Sequence, residues 1–261
     1  MGGYVDVRGL RTYYEVRGAG PPVVMLHGGC CPVETFAAQA EALEQRFRVY
    51  LPERRANGRT PDVEGPLTYQ AMTDDTVAFM QEMEIANADI VGFSDGAIIG
   101  LHLTIQHPDL VRTLVSIGGS FQASGLLPVS EMLPRGLVMA KFAPMVEIYE
   151  RVSPDGPEHF AVVRKKHERM WAEEPNLSIQ DLGAIRCPTL VMSADADNVR
   201  LEHTLALFRA VPDARLCIVP DSSHLSILEH PALVNRLLLD FLARHERRNN
   251  GSSVIAVSIH R

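Results

Sequence analysis

Short apolar runs alternate with longer amphipathic stretches along most of the chain. Six of the runs are rich in valine, leucine and isoleucine and lead into turn-forming or charged residues: PPVVMLHGG (21–29), FRVYLPE (47–53), ADIVGFS (88–94), VRTLVSIGG (111–119), PTLVMSAD (188–195) and ARLCIVPD (214–221). Stretches with helical periodicity lie around them, at 33–45, 74–84, 97–108, 202–211 and 232–245. Buried strands that alternate with helices predict an α/β fold, in which helices cover both faces of a mostly parallel sheet.

The N-terminal residues add two strands to this sheet. YVDV (4–7) and TYYEV (12–16) are joined by RGLR (8–11) and predict an antiparallel β-hairpin. The expected sheet therefore has eight strands, with the hairpin at one edge. Ligands of such sheets bind beyond the carboxyl ends of the parallel strands, so candidate site residues are sought there.

One segment interrupts the alternation of strands and helices. Between residues 121 and 183 no run resembles a strand, and the helical stretches carry Met132, Met139, Met145, Met170 and the only tryptophan, Trp171. This pattern predicts a helical cap insertion at 121–183, between two parts of the core at 1–120 and 184–245. Residues 246–261 form a polar tail with a short strand-like run, for which disorder is favoured over an added strand.

Composition narrows the class of protein. A chain of 261 residues that is 46% hydrophobic can bury the core of one large domain. The formal charge of -7 and the pI near 5.8 argue against nucleic acid or an anionic membrane as a partner. No apolar run is long enough to span a bilayer, and the N-terminus does not have the pattern of a secretory signal. The cysteines have no metal-binding spacing, so we expect a reduced, cytoplasmic protein.

Residues 92–96, GFSDG, match the pattern G-x-S-x-G between a predicted strand and a predicted helix. A nucleophile on such a sharp turn has a strained backbone, and its neighbours two positions away must lack side chains. Glycines flank Ser94 at that spacing, whereas Phe93 and Ala97 would flank Asp95. Ser94 is therefore the candidate nucleophile, and Asp95 is expected to offer its backbone N–H to an oxyanion hole.

Three further strand ends carry groups that a serine nucleophile needs. The strand VVML leads into HGG, where the backbone N–H of Gly29 can act as a second oxyanion donor. SADAD (193–197) offers a carboxylate, and DSSH (221–224) offers His224 in a loop before the last helix. The order serine, acid, histidine along the chain is that of the α/β-hydrolases.

From about Tyr4 to Arg244 the chain resembles the α/β-hydrolase family. The acid of that family follows its strand in a pattern like G-x-x-D; Ala194 stands at the glycine position, so the resemblance implies Asp197 as the acid, with Asp195 as the alternative. One loop departs from the family, because residues 53–60 read ERRANGRT where D-x-R-G-H-G-x-S is common. That motif is structural, so the departure concerns the loop conformation and the pocket shape rather than the triad.

The resemblance implies acyl transfer by Ser94, His224 and Asp197, with no cofactor and no metal ion. The expected substrate is a small-molecule ester or lactone, and HGGCC, GFSDG and VRLEHT (199–204) are similar to stretches of serine esterases that open macrolide lactones. The serine argues against haloalkane dehalogenases and epoxide hydrolases, which place aspartate there. A perhydrolase, a carbon–carbon bond hydrolase and a non-catalytic ligand receptor remain open, and turnover would separate the receptor from the enzymes.

Three other histidines are expected to have structural rather than catalytic roles. His27 precedes the oxyanion glycines and is expected to brace their loop. His102 lies on the helix that follows the GFSDG turn and is expected to contribute to packing. His167 lies in the charged stretch RKKHER (164–169), which is expected to form a solvated helix face.

Overall fold

Eight strands form a single sheet in the computed structural model, which describes residues 2–127 and 137–249 and the side chains of all of these except 137–141 and 247–249. The strand order across the sheet is β1-β2-β4-β3-β5-β6-β7-β8. The strands are β1 Gly2–Val7, β2 Leu10–Arg17, β3 Pro22–Leu26, β4 Arg48–Pro52, β5 Ala88–Phe93, β6 Val111–Ile117, β7 Thr189–Ala196 and β8 Ala214–Ser223.

Strand directions follow the sequence prediction. β1 pairs antiparallel with β2, and β2 pairs antiparallel with β4. The pairs β4–β3, β3–β5, β5–β6, β6–β7 and β7–β8 are all parallel. Arg8 and Gly9 turn the hairpin with φ values of 56° and 82°, which the tight two-residue connection requires. The predicted α/β fold, with its mostly parallel sheet and edge hairpin, is confirmed.

Helices cover both faces of this sheet. In the described part of the chain they are α1 Ala37–Leu43, α2 Tyr69–Glu82, α3 Asp95–Gln106, α4 Leu137–Val152, α5 Phe160–Glu173, α6 Ile179–Gly183, α7 Leu201–Ala210, α8 Ser226–Glu229 and α9 Pro231–Asn249. Short 3-10 turns precede α1 at Val33–Phe36 and α5 at Pro157–His159.

Alternate residues of the central strands supply two separate apolar layers. In β3, Val24 and Leu26 pack into one layer, whereas Val23 and Met25 pack into the other. The first layer includes apolar residues of α2 and α3, and the second includes those of α1 and α9. A strand that is buried on both faces explains why these runs are continuously apolar. Packing on both faces of the sheet also holds the carboxyl ends of β3, β5, β6 and β7 beside one another.

Two helices extend well beyond their predicted stretches. α2 begins at Tyr69, before the predicted stretch at 74–84, because the Thr68 hydroxyl accepts a hydrogen bond from the Ala71 N–H at 3.1 Å. α9 continues to Asn249, past the predicted core boundary at 245. Glu246 on that extension accepts a hydrogen bond from Arg46 at 3.2 Å. The rest of the predicted tail, 250–261, lies outside the described residues.

The segment between β6 and β7 contains α4, α5 and α6 and no β-strand in its described residues. Met145 and Met170 of this cap are buried, so their side chains belong to its packing. Met132 lies outside the described residues, and so does the side chain of Met139. No helix among the described residues is both long and apolar enough to cross a membrane.

The core position of α9 leads to a stability prediction. Leu238 is 0% exposed and Leu233, on the same helix, is 44% exposed. We expect Leu238→Ala to lower the free energy of unfolding by about 2–5 kcal/mol, because it leaves a cavity against the sheet. Leu233→Ala should change it by less than about 0.5 kcal/mol. Urea unfolding of both variants tests this, and equal losses would contradict the packing of α9.

Candidate active site

The turn between β5 and α3 presents Ser94 at the sheet edge. Ser94 has φ 54° and ψ -118°, a conformation that non-glycine residues rarely adopt. A side chain at Gly92 would collide with the backbone of Gly96, and one at Gly96 would collide with the Leu26 carbonyl. The two glycines therefore let strand and helix approach closely enough to project the serine.

Ser94, His224 and Asp197 form one hydrogen-bonded chain. The Ser94 hydroxyl lies 2.9 Å from Nε2 of His224, and Nδ1 of His224 lies 2.6 Å from Oδ1 of Asp197. The side chains of His224 and Asp197 are 12% and 3% exposed. With the Nδ1 proton donated to the carboxylate, Nε2 is free to accept the serine proton. The structure thus brings the three predicted residues together from the ends of β5, β7 and β8.

The two candidate acids occupy different places. Asp197 also accepts hydrogen bonds from the Ser193 hydroxyl at 2.8 Å and from the Val199 N–H at 3.1 Å. Asp195 instead accepts from the backbone N–H groups of Asp221 and Ser222, at 2.9 and 3.0 Å. Asp195 therefore braces the loop that carries the histidine, and Asp197 is the carboxylate that contacts it.

Burial and charge act in opposite directions on His224. Burial alone would lower the pKa of the imidazole, but the charge and hydrogen bond of Asp197 outweigh burial and raise the pKa of His224 above its ordinary value. For Asp197 burial would raise the pKa, whereas His224 and the hydrogen-bond donors lower it below its ordinary value. The pair is thus arranged to stabilise a protonated histidine next to an ionised aspartate.

The loop that carries His224 is held by a second carboxylate. Glu229 accepts hydrogen bonds from the hydroxyls of Ser222 and Ser223, both at 2.8 Å, and from the Ser223 N–H at 2.7 Å. On its other side the imidazole approaches Gly118, just after β6. A Cβ at Gly118 would lie 2.8 Å from Cε1 of His224. These contacts restrict the imidazole to the position beside Ser94.

The residues that carry the two predicted oxyanion donors belong to segments beside Ser94. In the described part of the chain, neither the Gly29 N–H nor the Asp95 N–H donates to a protein acceptor. Asp95 is the first residue of α3, where backbone N–H groups have no partner within the helix. A Cβ at Gly28 would lie 3.3 Å from Cβ of Ser94, so the HGG loop runs directly beside the serine.

The Asp95 carboxylate is buried and joins the core to the cap. Asp95 is 1% exposed, and its Oδ1 accepts from the Tyr69 hydroxyl at 2.9 Å and from Nε1 of Trp171 at 2.8 Å. Tyr69 is the first residue of α2, and Trp171 lies on α5 of the cap. A side chain at Gly29 would collide with Asp95, His167 and Trp171. The cap therefore packs directly on the HGG loop at 27–29, the proposed oxyanion loop.

His167 is buried, which corrects the expectation of a solvated position. It is 0% exposed, and its Nδ1 donates to the Val163 carbonyl at 3.0 Å. Its Nε2 lies 3.8 Å from Oδ2 of Asp95, and neither atom has a hydrogen-bond partner among the described residues. Burial lowers the pKa of His167 more than the nearby Asp95 raises it. In the neutral ring, Nε2 is thus an acceptor that faces another acceptor.

His27 and the cysteines occupy structural rather than catalytic positions. His27 donates from Nδ1 to the Gly28 carbonyl at 2.8 Å, as expected of a residue that braces the loop. Cys30 and Cys31 are buried beside this loop, and burial raises the pKa of the Cys31 thiol to about 12. All four cysteines are free. Within residues 2–127 and 137–249, no cluster of three histidine, cysteine, aspartate or glutamate side chains could hold a metal ion.

Sequence reasoning missed several of these residues. Gly118 could have been found, since it follows a predicted strand at the same sheet edge as the nucleophile. Tyr69, Trp171 and Glu229 had no distinctive motif. Their contacts become visible only when elements distant in the chain are brought together.

Comparisons with known proteins give a family and several relatives. The model of a family described as the alpha/beta hydrolase family matches residues 23–237. A putative carbamate hydrolase, RutD, of Caulobacter sp. (strain K31) is 30% identical, and the match covers 88% of this chain and 95% of the relative. The 2-hydroxymuconate semialdehyde hydrolase of Pseudomonas sp. (strain CF600) is 27% identical, with 93% and 94% covered.

A solved structure shares the fold over nearly the whole chain. The enol-lactonase from Burkholderia xenovorans LB400 superposes with a TM-score of 0.77, covering 92% of this chain and 100% of its own. Sequence identity to it is 22%, so this likeness concerns the fold alone.

The contact between Gly118 and His224 can be tested directly. Gly118 has φ 61°, and Gly118→Ala should displace the imidazole in addition to straining the backbone. We expect labelling of Ser94 by a fluorophosphonate to slow by about 10-fold or more. Gly9→Ala is the matched control, because Gly9 has φ 82° and open space at its Cβ position. Equal labelling of the two variants would show that the contact does not position His224.

Proposed function

The chain belongs to the α/β-hydrolase family, and from that premise we propose that it is a serine hydrolase that cleaves a carboxylic ester or a lactone. The observation that carries this proposal is the hydrogen-bonded chain from Ser94 through His224 to Asp197. A hydroxyl, an imidazole and a buried carboxylate in this order are what acyl transfer through a covalent intermediate requires.

In the proposed reaction, the Ser94 oxygen attacks the substrate carbonyl carbon while Nε2 of His224 takes the hydroxyl proton. Asp197 holds the imidazolium through Nδ1. The tetrahedral intermediate collapses when His224 returns the proton to the leaving alkoxide, which departs as an alcohol and leaves an acyl-enzyme. Water then attacks the acyl carbon, His224 takes its proton, and the carboxylic acid is released as Ser94 recovers its hydrogen.

The negative charge of the tetrahedral intermediate would be held by the N–H groups of Gly29 and Asp95. Asp95 follows Ser94 in the chain and Gly29 belongs to the loop beside it, and neither N–H is engaged with a protein acceptor in the described part of the chain. Removing one donor from such a site typically lowers the rate by about 10²–10³. Asp95 would thus contribute its backbone to the oxyanion hole and its carboxylate to the contact with the cap.

The choice between an ester and a lactone draws on sequence resemblance. The stretches HGGCC, GFSDG and VRLEHT resemble serine esterases that open macrolide lactones, which favours a bulky lactone. The relatives' names point to a carbamate and to a carbon–carbon bond next to a carbonyl. In each case a nucleophile attacks a carbonyl carbon, so the same residues would serve. A non-catalytic receptor on this fold is the alternative of another class.

Mass spectrometry of a mixed substrate panel would separate these possibilities. The purified protein is incubated with simple esters, lactones including macrolides, a carbamate and a vinylogous 1,5-diketone, beside Ser94→Ala. A lactone that gains the mass of one water only with the wild type supports a lactonase. Acid and alcohol from simple esters alone would indicate a general carboxylesterase. No product from any compound would reject the hydrolase and favour the receptor.

Ser94→Ala removes the proposed nucleophile while leaving the fold intact. We expect turnover to fall by roughly 10⁴-fold or more, because no acyl-enzyme can form. The urea midpoint should stay close to that of the wild type, since the methyl group fits where the hydroxymethyl group was. Hydrolysis at the wild-type rate would remove Ser94 from the mechanism.

The pH dependence of kcat/KM tests the roles of the two acids. His224 must be neutral to accept a proton, so activity should rise with pH until the imidazole is deprotonated and then level off. Asp197→Asn removes the carboxylate that raises the pKa of His224, so the acid limb should move to lower pH. The plateau should fall by about 10⁴-fold.

Asp195→Asn is the control for this experiment, because Asp195 contacts backbone N–H groups and not the imidazole. Its acid limb should coincide with that of the wild type, with activity within about threefold. If Asp195→Asn shifted the acid limb and Asp197→Asn did not, the assignment of the triad acid would be reversed.

A further inference from the structure

Arg54 is a buried cation beneath the oxyanion loop. The residue is 5% exposed and lies in the loop ERRANGRT, which departs from the family pattern. Its Nη2 donates to the Gly28 carbonyl at 2.7 Å, and its backbone N–H donates to Nε2 of His27 at 3.1 Å. Its Nε has no partner among the described residues. A guanidinium stays charged even in such a site, so its placement is costly unless its contacts compensate.

The Gly28 carbonyl belongs to the same peptide unit as the Gly29 N–H. Because that unit is planar and trans, fixing the direction of the carbonyl fixes the N–H on its opposite side. Glycine at both positions provides little restraint of its own, since glycine has the widest backbone freedom. An external contact must therefore hold this peptide plane.

Two donors converge on the Gly28 oxygen. His27 accepts from the Arg54 N–H through Nε2, so the ring proton lies on Nδ1, which donates to Gly28 at 2.8 Å. Arg54 supplies the second donor and the charge. A charge-assisted hydrogen bond to a carbonyl also polarises its peptide and makes the N–H a stronger donor.

We propose that Arg54 is a positioning residue that orients the Gly29 N–H toward the oxyanion by holding the Gly28 carbonyl. This inference rests on the proposed function, because it needs an oxyanion at Ser94. Arg54 does not touch the substrate. It acts through the Gly28–Gly29 peptide and therefore on the transition state rather than on ground-state binding.

A second role for Arg54 has to be separated from this one. The buried Asp95 carboxylate lies within electrostatic range of the guanidinium, so Arg54 also balances its charge. If charge balance were the whole role, any cation at this position would serve, and the residue would be dispensable once Asp95 was neutral.

The experiment measures kcat and KM for p-nitrophenyl butyrate in Arg54→Met and Arg54→Lys. We expect kcat to fall about 10- to 100-fold in Arg54→Met while KM stays within about threefold, because a misdirected N–H weakens only transition-state binding. Arg54→Lys keeps the charge but loses the planar fork and should still lose about 10-fold or more. Arg55→Lys is the control and should stay near the wild type, since Arg55 pairs with Asp75 at 2.6 Å.

A double-mutant cycle with Asp95→Asn separates positioning from charge balance. We expect Arg54→Met to lower kcat by the same factor in the Asp95→Asn background as in the wild type. A factor that disappears in that background, or wild-type kcat in Arg54→Lys, would overturn the inference in favour of charge balance. If Arg54→Met fails to fold, Arg54→Lys decides by the same criterion.

Fluorophosphonate labelling distinguishes a failure of the inference about Arg54 from a failure of the proposed function. A wild type that is labelled, beside an unlabelled Ser94→Ala, supports the nucleophile whatever Arg54 does. A wild type that is neither labelled nor active would overturn the proposed function and, with it, the premise about Arg54. Normal labelling and normal kcat in Arg54→Met would overturn the inference about Arg54 alone.

Discussion

The close approach of strand β5 to helix α3 is the constraint on which the site depends. Ser94 donates its backbone N–H to the Ile117 carbonyl at the end of β6, and α3 begins at the next residue. The chain can reverse so sharply only if Ser94 has a positive φ and Gly92 and Gly96 carry no side chains. Because Gly96 rests against the Leu26 carbonyl at the end of β3, the same packing places the oxyanion loop beside the serine.

Buried polar groups on both sides of this turn limit which substitutions the site can accept. The Asp95 carboxylate, the Arg54 guanidinium and the His27 ring are all removed from water. Each needs partners inside the protein, because an unpaired polar group or charge is costly when it is buried. Tyr69 and Trp171 supply donors to Asp95, and Gly28 supplies the acceptor for Arg54. Substitution of any one member therefore removes a hydrogen bond from another buried group, which favours the present arrangement of the loop.

The sheet and the turn that carries Ser94 could be predicted because both depend on local pattern. Continuous apolar runs identified the parallel strands. The glycines two positions before and after Ser94 indicated a turn that is too tight for side chains at those positions. The choice between Asp195 and Asp197 needed the resemblance to a family, since spacing alone allows either. The burial of His167 could not be predicted, because a charged stretch such as RKKHER does not tell which face of its helix meets the core. Its position became visible only with α5 packed on Gly29.

Asp95 connects the docking of the cap with the geometry of the proposed oxyanion hole. Its backbone N–H lies next to the nucleophile, and its carboxylate accepts from Trp171 of the cap. Any movement that withdraws α5 removes this donor from a buried carboxylate, which then needs another partner. Nε2 of His167 lies 3.8 Å from Oδ2, so α5 of the cap faces both oxygens of this carboxylate. The electrostatics of the residue after the nucleophile are therefore set by the cap as well as by the core.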